Sequence, residues 1–192
     1  MVTSQLPPKP DFEALAASAP ATADRRTTIL ALIGNLVSSW SNNESLFIYV
    51  LMILLKTDQA SAALTFATLN TTRARLDLIQ RLAKIMIKDK ALDRSLSKVI
   101  DRFNETTHVR NEFNHCMYIV DAGGQITHTQ SMRIVQTKSS LQFGDMKPMD
   151  EARLKSMVKT IKEMTRINRD IWDLLPRLES HLRSSSERTE GD

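Results

Sequence analysis

The feature that most constrains the fold is a long stretch near the start of the chain in which apolar residues recur at helical spacing. Between about Asp24 and Leu55 an apolar side chain returns every three or four positions, and residues 46–55 form an unbroken apolar run. This spacing places the apolar side chains on one side of an α-helix. Only five glycines and six prolines interrupt the 192 residues, which favours long helices over many short strands.

Four further segments carry the helical pattern. We predict a short helix over 59–69, a helix capped by Asn70–Thr71, a helix over 93–116 and a long last helix that begins after Asp150. Two positions are expected to disturb the helices. Residues 41–43 mark a kink or a junction in the first helix, and Pro176 should kink or divide the last one, because proline lacks a backbone N–H.

The pattern changes between the last two helices. Residues 117–121 are β-prone, residues 125–137 are rich in Thr, Ile and Val, and Gly123–Gly124 between them is typical of the turn of a β-hairpin. Residues 141–149 are expected to add a third short strand. The predicted fold is therefore all-α, a helical bundle with a small β-hairpin inserted before the last long helix.

We expect one folded domain over residues 24–183, between segments without stable structure. Residues 1–23 are expected to form a flexible N-terminal segment, and residues 184–192 a disordered tail. The N-terminal segment lacks the basic start and continuous apolar core of a signal peptide. The apolar run 46–55 is shorter than the roughly 20 residues that a bilayer span requires. The sequence predicts a cytoplasmic protein without a membrane span.

Composition limits the chemistry that the chain can carry. Cys116 is the only cysteine, so neither an intrachain disulfide nor a cysteine-based zinc site can form. His108, His128 and His181 lack metal-ligand spacing, and the sequence has no glycine-rich phosphate loop. The net charge of +4 is compatible with an acidic partner such as nucleic acid, although many other proteins share it. We expect no metal and no cofactor.

The run Arg110-Asn111-Glu112-Phe113-Asn114-His115 places polar side chains where the helix over 93–116 should be apolar. At about 100° per residue, Arg110 and Asn114 fall on the inner face of that helix, while Asn111 and His115 stack on one flank. Burying such groups without partners would cost several kcal/mol. They must therefore be paired or line a wet cleft.

A carboxylate interrupts the apolar face of the first helix in a similar way. Glu44 shares a helical face with apolar residues, and the natural partner of a carboxylate in such a place is a cation. Arg110 is the expected partner, and Arg75 is the alternative. A pair between Glu44 and Arg110 would hold the guanidinium and leave other N–H donors available.

Arginine and histidine together suit the cleavage of a phosphodiester without a metal. Histidine exchanges a proton near neutral pH, and arginine offers a permanent charge and a forked set of donors. In RNA, His115 would handle the proton of the attacking 2′-hydroxyl, and Arg110 would stabilise charge on the phosphate. Asn111 would orient the histidine or hold a phosphate oxygen. The structural alternative is that these side chains satisfy helix-end carbonyls or pair with a carboxylate.

At these positions the chain resembles the HEPN superfamily, whose mark is an arginine followed after four to six residues by a histidine. Arg110 and His115 have four residues between them, and Asn111 gives the frequent Arg-Asn-x-x-x-His form. The resemblance extends in pattern over about 24–182. It implies a helical bundle that dimerises with two motifs facing each other. Many members are metal-independent endoribonucleases of toxin–antitoxin, phage-defence or RNA-processing systems.

The resemblance implies that Arg110 and His115 form the catalytic pair, with Asn111 beside them and Glu44 and Asn114 in support. Asn114 departs from the family pattern, in which a small residue often precedes the histidine. Five positions on an ideal helix separate two side chains by about 140°, so a site shared between two subunits would bring the pair to one phosphate more easily.

The implied partners are a second copy of the chain, RNA, and an antitoxin or other protein. Two alternatives stay open. One is a catalytically inactive HEPN-like interaction module, and the other is a helical scaffold in which the polar cluster only joins helices.

Five basic residues follow one face of the last predicted helix. They are Lys155, Lys159, Lys162, Arg166 and Arg169. Such a stripe can follow an RNA backbone. The solvated side of an amphipathic helix has the same pattern, and the sequence does not separate the two interpretations.

Overall fold

The computed structural model describes residues 24–137 and 139–189. Over this range the chain is mostly helical, with a small β region between the last two helices. The helices are α1 (Arg25–Leu55), α2 (Gln59–Thr68), α3 (Thr72–Met86), α4 (Lys90–Asn114) and α5 (Glu151–Thr189). The strands are β1 (Cys116–Val120), β2 (Ile126–Ser131), β3 (Ile134–Gln136), β4 (Leu141–Phe143) and β5 (Met146–Pro148).

Polar side chains cap the first turns of helices, as the sequence predicts for α3 and α5. Thr71 Oγ1 accepts the backbone N–H of Ala74 at 3.1 Å, and Asp150 Oδ1 accepts that of Arg153 at 2.8 Å. Both caps are predicted from the sequence, and Asp58 caps α2 in the same way. Each cap satisfies one of the backbone donors that a helix leaves unpaired in its first turn.

The first helix is continuous, so the junction considered at 41–43 does not divide it. Asn43 is fully buried, and its amide oxygen accepts a hydrogen bond of 2.8 Å from the side chain of Asn168 on α5. A polar residue inside a helix is tolerated in a core when its hydrogen bonds are made by another side chain. The hydrogen-bond partner of Asn43 is 125 positions away in the chain.

Pro176 does not divide the last helix, which runs from Glu151 to Thr189. Leu174, Leu175 and Leu178 on either side of the proline are buried, so packing of the flanking turns offsets the one backbone bond that proline removes. The helix also extends past the boundary predicted at residue 183. It takes in residues 184–189 of the segment expected to be disordered, whereas 1–23 and 190–192 lie outside the described residues.

The β region confirms the predicted hairpin and adds to it. Strands β1 and β2 pair antiparallel, and β5 pairs antiparallel with β2, in the order β1-β2-β5. Asp121 Oδ1 accepts the N–H groups of Gly123 and Gln125 in the turn, both at 2.9 Å. The strand predicted over 125–137 and the short strand predicted over 141–149 are each split in two, which gives the separate pair β3-β4.

The split comes from a backbone irregularity at Gly144. Its φ angle is +53°, and an added Cβ atom would lie 1.8 Å from the carbonyl oxygen of Ser131. Only glycine fits such a close approach of two backbones. The ladder therefore changes register between β2-β5 and β3-β4.

The described residues group into two compact units that each take part of α1, α4 and α5. This subdivision is not predicted by the sequence. Unit 1 comprises residues 41–104 and 165–189, and unit 2 comprises residues 24–40 and 105–164. Buried apolar side chains form the core of each unit. The core of unit 1 includes Phe47 and Phe103, with ring centroids 5.2 Å apart, and that of unit 2 includes Trp40, Phe113 and Met157.

No single helix among the described residues is both long and apolar enough to cross a bilayer. Within the part of the chain that the structure describes, α1 and α2 taken together reach that length and composition, and they are bent by 116° at their junction. Residues 50–54, near the end of α1, are all apolar and all buried. A helix segment that is hydrophobic on every side is typical of a protein core.

Candidate functional site

Arg110 lies in the last turns of α4, and its guanidinium rests on the indole of Trp40. The Cζ atom of Arg110 is 3.3 Å from the centroid of the Trp40 ring. Trp40 is buried, and its Nε1–H donates to Thr107 Oγ1 at 2.9 Å, one turn before Arg110. A cation above an aromatic face is attracted by the ring quadrupole. Helix α1 therefore supplies a fixed support for the guanidinium.

Glu44 is bonded by Arg75 and not by the arginine predicted first. Arg75 Nη1 lies 2.9 Å from Glu44 Oε1, and Thr72 Oγ1 donates to the same oxygen at 2.7 Å. Arg75 Nε also donates to the backbone carbonyls of Phe66 and Leu69, at the end of α2. The pair predicted between Glu44 and Arg110 is wrong, and the alternative partner is the one found. Glu44 therefore joins α1 to the α2–α3 connection in unit 1.

His115 occupies the turn between α4 and β1, with its side chain exposed and its backbone held on both sides. Its N–H donates to the carbonyl of Asn111 at 3.0 Å, which extends the helical bonding by one residue. Its carbonyl accepts the N–H of Met132 at 3.2 Å, which continues the β1–β2 ladder. An exposed imidazole on a fixed backbone can meet a solvent-borne ligand without a loop being ordered first.

The two asparagines of the motif lie in different surroundings. Asn111 is half-buried, whereas Asn114 is exposed. The prediction that Asn114 faces inward with Arg110 is wrong, because Phe113 is the residue buried there. Removing an aromatic side chain from water is favourable, while removing an amide is costly unless it is bonded. The helix therefore turns Phe113 inward and leaves Asn114 hydrated.

A cluster of charged side chains that no local sequence pattern predicts holds the end of α4 in place. Glu112 Oε1 accepts from Arg153 Nη2 at 2.7 Å and from Lys147 Nζ at 3.1 Å. The Cζ atom of Arg153 lies 4.9 Å from the centroid of the Phe113 ring. Arg153 is 41 positions from Glu112, so no local pattern in the sequence announces the pair.

The last turn of α4 is also tied to β1. The Tyr118 hydroxyl donates to the backbone carbonyl of Phe113 at 2.7 Å, and the Cys116 thiol lies 3.4 Å from the same oxygen. Burial raises the pKa of both the Tyr118 hydroxyl and the Cys116 thiol. A thiol that stays protonated is a poor nucleophile. The local environment thus opposes a catalytic role for Cys116.

The basic residues predicted to follow one face of α5 are all exposed. Lys155, Lys159 and Lys162 belong to unit 2, and Arg166 and Arg169 belong to unit 1. The three lysines repeat at intervals of four and three positions, so they stand on one side of α5. They form a positively charged strip in the same unit as Arg110 and His115.

Within residues 24–137 and 139–189, no group of three His, Cys, Asp or Glu side chains is arranged to hold a metal ion. Comparison with protein-family models, with curated proteins and with solved structures finds no match to this chain.

Proposed function

We propose that this chain is a metal-independent endoribonuclease of the HEPN type that acts as a homodimer. The observation that carries the proposal is the arrangement at the end of α4. A guanidinium over the ring of Trp40 is followed, five positions later, by an exposed imidazole on a fixed backbone. Arg110 and His115 lie in the same unit. The Arg-Asn-x-x-x-His form of the motif supports the same proposal.

In the proposed reaction the 2′-oxygen of a ribose attacks the adjacent phosphorus, and the bond from phosphorus to the 5′-oxygen breaks. The neutral imidazole of one His115 accepts the proton of the 2′-hydroxyl, and the protonated imidazole of the other copy donates a proton to the leaving 5′-oxygen. Arg110 stabilises the negative charge that builds up on the phosphate oxygens. The products are a 2′,3′-cyclic phosphate and a 5′-hydroxyl end.

The exposed lysines of α5 are placed to bind the substrate in this proposal. Lys155, Lys159 and Lys162 place three positive charges along about 10 Å of helix, at 1.5 Å per residue. Neutralising phosphates in this way provides affinity that does not depend on sequence and that weakens with salt. We propose that these lysines bind the RNA backbone beside the cleavage site.

Cleavage of single-stranded RNA in EDTA tests the proposal. Wild type should cleave in the chelator and leave 2′,3′-cyclic phosphate ends, and a substrate with 2′-deoxyribose at the cleaved position should resist. His115→Ala and Arg110→Ala should each lose 10²–10⁴-fold in rate, the usual worth of general acid–base and electrostatic catalysis. His108→Ala is the matched control, because His108 is an exposed histidine on the same helix, and it should keep the wild-type rate.

The second candidate is an inactive HEPN-like interaction module. It is favoured by one observation, the concentration of large exposed apolar side chains between Met117 and Met146. Wild type that associates with itself but cleaves no RNA in the assay above, with or without divalent cations, would favour the module over the nuclease.

A further inference from the structure

Arg153 lies in the first turn of α5, and its side chain reaches the last turns of α4. Its backbone N–H donates to Asp150 Oδ1 at 2.8 Å, which fixes the residue at the start of the helix. Its Nη2 donates to Glu112 Oε1 at 2.7 Å, and its Cζ atom lies 4.9 Å from the centroid of the Phe113 ring. One side chain therefore holds the two residues that stand three and two positions before His115.

The same guanidinium also bonds the strand that leads into α5. Arg153 Nη1 donates to the backbone carbonyls of Lys147 and Pro148 in β5, at 3.2 and 3.4 Å. Strand β5 pairs with β2, and the residue after β2, Met132, donates its N–H to the carbonyl of His115 at 3.2 Å. The contacts of Arg153 therefore reach the His115 turn from both sides, through α4 before it and through β5 and β2 after it.

Burial makes Arg153 the stronger of the two cations bonded to Glu112. The Arg153 side chain is 13% exposed, so water does not readily replace the hydrogen bonds that it makes. Lys147 Nζ lies 3.1 Å from the same carboxylate oxygen, but that side chain is 52% exposed. Solvent weakens an ion pair at such a position. The hold on the end of α4 therefore depends mainly on Arg153.

We propose that Arg153 is a positioning residue for the imidazole of His115. The inference rests on the proposed function, in which that imidazole exchanges a proton with the RNA. The His115 side chain is exposed, so the place of the imidazole is set by the backbone of the turn that Arg153 holds. A misplacement of about 1 Å costs about 10²-fold in rate. Arg153 itself touches neither the substrate nor the reacting atoms, and it acts through Glu112, Phe113 and β5.

Steady-state cleavage of single-stranded RNA in EDTA, together with amide hydrogen exchange, tests the role of Arg153. In Arg153→Met, kcat should fall about 10–100-fold while KM stays within about twofold, because the chemical step suffers and RNA binding does not. The amides of His115 and Met132 should exchange about 10-fold faster, since the turn opens more often. Glu112→Gln keeps the shape of its side chain and removes its charge, and it should lower kcat by a smaller factor.

Two further variants show whether Arg153 acts through its partner. In Arg153→Met/Glu112→Gln, kcat should be no lower than in Arg153→Met alone, because both changes break the same contact. The matched control is Arg183→Met, since Arg183 also lies on α5 and bonds a carboxylate, that of Glu179, at 2.9 Å, but belongs to unit 1. It should leave kcat and the exchange of the His115 amide as in wild type.

A folded Arg153→Met variant with the wild-type kcat would overturn the proposal. So would a rise in KM at unchanged kcat, which would make Arg153 a residue that binds RNA. If Arg153→Met does not fold, Glu112→Gln decides, and a wild-type kcat in that variant overturns the proposal. Failure of the proposed function has a different sign. Wild type that cleaves no RNA removes the reaction and this role together, whereas active wild type with an equally active Arg153→Met removes only the role of Arg153.

Discussion

Arg75 and Arg110 are half-buried arginines that each lie against an aromatic ring, and the contacts around them differ. In unit 1, Arg75 uses its N–H donors on Glu44 and on the backbone carbonyls of Phe66 and Leu69, and its Cζ atom lies 4.7 Å from the Phe66 ring centroid. In unit 2, the Cζ atom of Arg110 lies over the indole of Trp40, 3.3 Å from the ring centroid. An aromatic ring attracts the positive charge of a guanidinium, whereas a carboxylate also accepts hydrogen bonds from its N–H groups.

Arg75 has a structural role, whereas Arg110 is a candidate functional residue. Arg75 connects elements that are far apart in sequence, because it bonds a carboxylate on α1 and two carbonyls at the end of α2. Arg110 is followed by a histidine whose side chain reaches solvent, whereas the residues bonded to Arg75 are buried or half-buried. A polar residue on an apolar helix face is therefore not by itself a sign of catalysis. The residues that surround it in the structure decide between a structural and a catalytic role.

The largest effect expected is on catalysis, from the change His115→Ala. It should lower the rate of RNA cleavage by 10²–10⁴-fold, while the free energy of unfolding changes by less than about 0.5 kcal/mol, since the side chain is exposed. Rates at saturating RNA and urea unfolding curves measure the two quantities. A His115→Ala variant that unfolds more easily and cleaves as wild type does would contradict the catalytic role and indicate a structural one.

The second effect is on stability, from the change Arg75→Met. It leaves the Glu44 carboxylate, whose side chain is 14% exposed, without its cation. The free energy of unfolding should fall by about 2–4 kcal/mol, with the catalytic rate of the folded protein unchanged. Urea unfolding measures the loss. The control is Arg73→Met, because the Arg73 side chain is 88% exposed and its contact with Asp77 is 3.9 Å long.

Arg73→Met should cost less than about 1 kcal/mol, as is usual for exposed ion pairs. Equal losses in the two variants would show that the Glu44–Arg75 contact contributes no more than a surface pair. Arg75 would then stabilise the fold no more than an exposed arginine does.

A smaller effect concerns the strip of lysines in unit 2. Replacing Lys155, Lys159 and Lys162 by glutamine should reduce the slope of log Kobs against log salt for single-stranded RNA by about 2, since each phosphate contact contributes about 0.7. Fluorescence anisotropy at several salt concentrations measures the slope. Glutamine at Lys84, Lys90 and Lys98, which are exposed in unit 1, is the matched control. An equal change in both triple variants would contradict a specific role for the strip.

The smallest effect expected is that of pH on the helix caps, which both units share. Backbone N–H groups of Thr27, Ser61 and Ala91 hold the pKa values of Asp24, Asp58 and Asp89, respectively, below the usual value of 3.8. A lowered pKa in the folded state means that the contribution to stability is present above pH 3.8 and is lost as the pH falls through the lowered value.

The melting temperature should therefore fall as the pH is lowered from about 5 to 2, the window of an ordinary carboxylate with a lowered pKa. Asp58→Asn should make that fall shallower, because an amide does not titrate. Asp101→Asn, at an exposed position on α4, serves as the control. A pH profile that Asp58→Asn leaves unaltered would contradict the role of this cap.

Much of the fold follows from local pattern. The helices, the caps at Thr71 and Asp150, and the hairpin around Gly123–Gly124 are all predicted by residues close to them in the chain. The errors have a common cause. A helical wheel gives the direction of a side chain, but it does not say which other element lies there, so it pairs Glu44 with the wrong arginine. At the end of α4, the preference of an aromatic side chain for the core also places Phe113 inside and leaves Asn114 exposed.

The sequence by itself determined the succession of helices and strands, the placement of Arg110 on an inner face and the motif shared by Arg110 and His115. Those properties depend on backbone periodicity and on side-chain type, which are local. Only the tertiary structure decided that Trp40 supports Arg110 and that Arg153 fixes the end of α4. These contacts join residues 70 and 41 positions apart, and their energy depends on distances that appear only when the chain has packed.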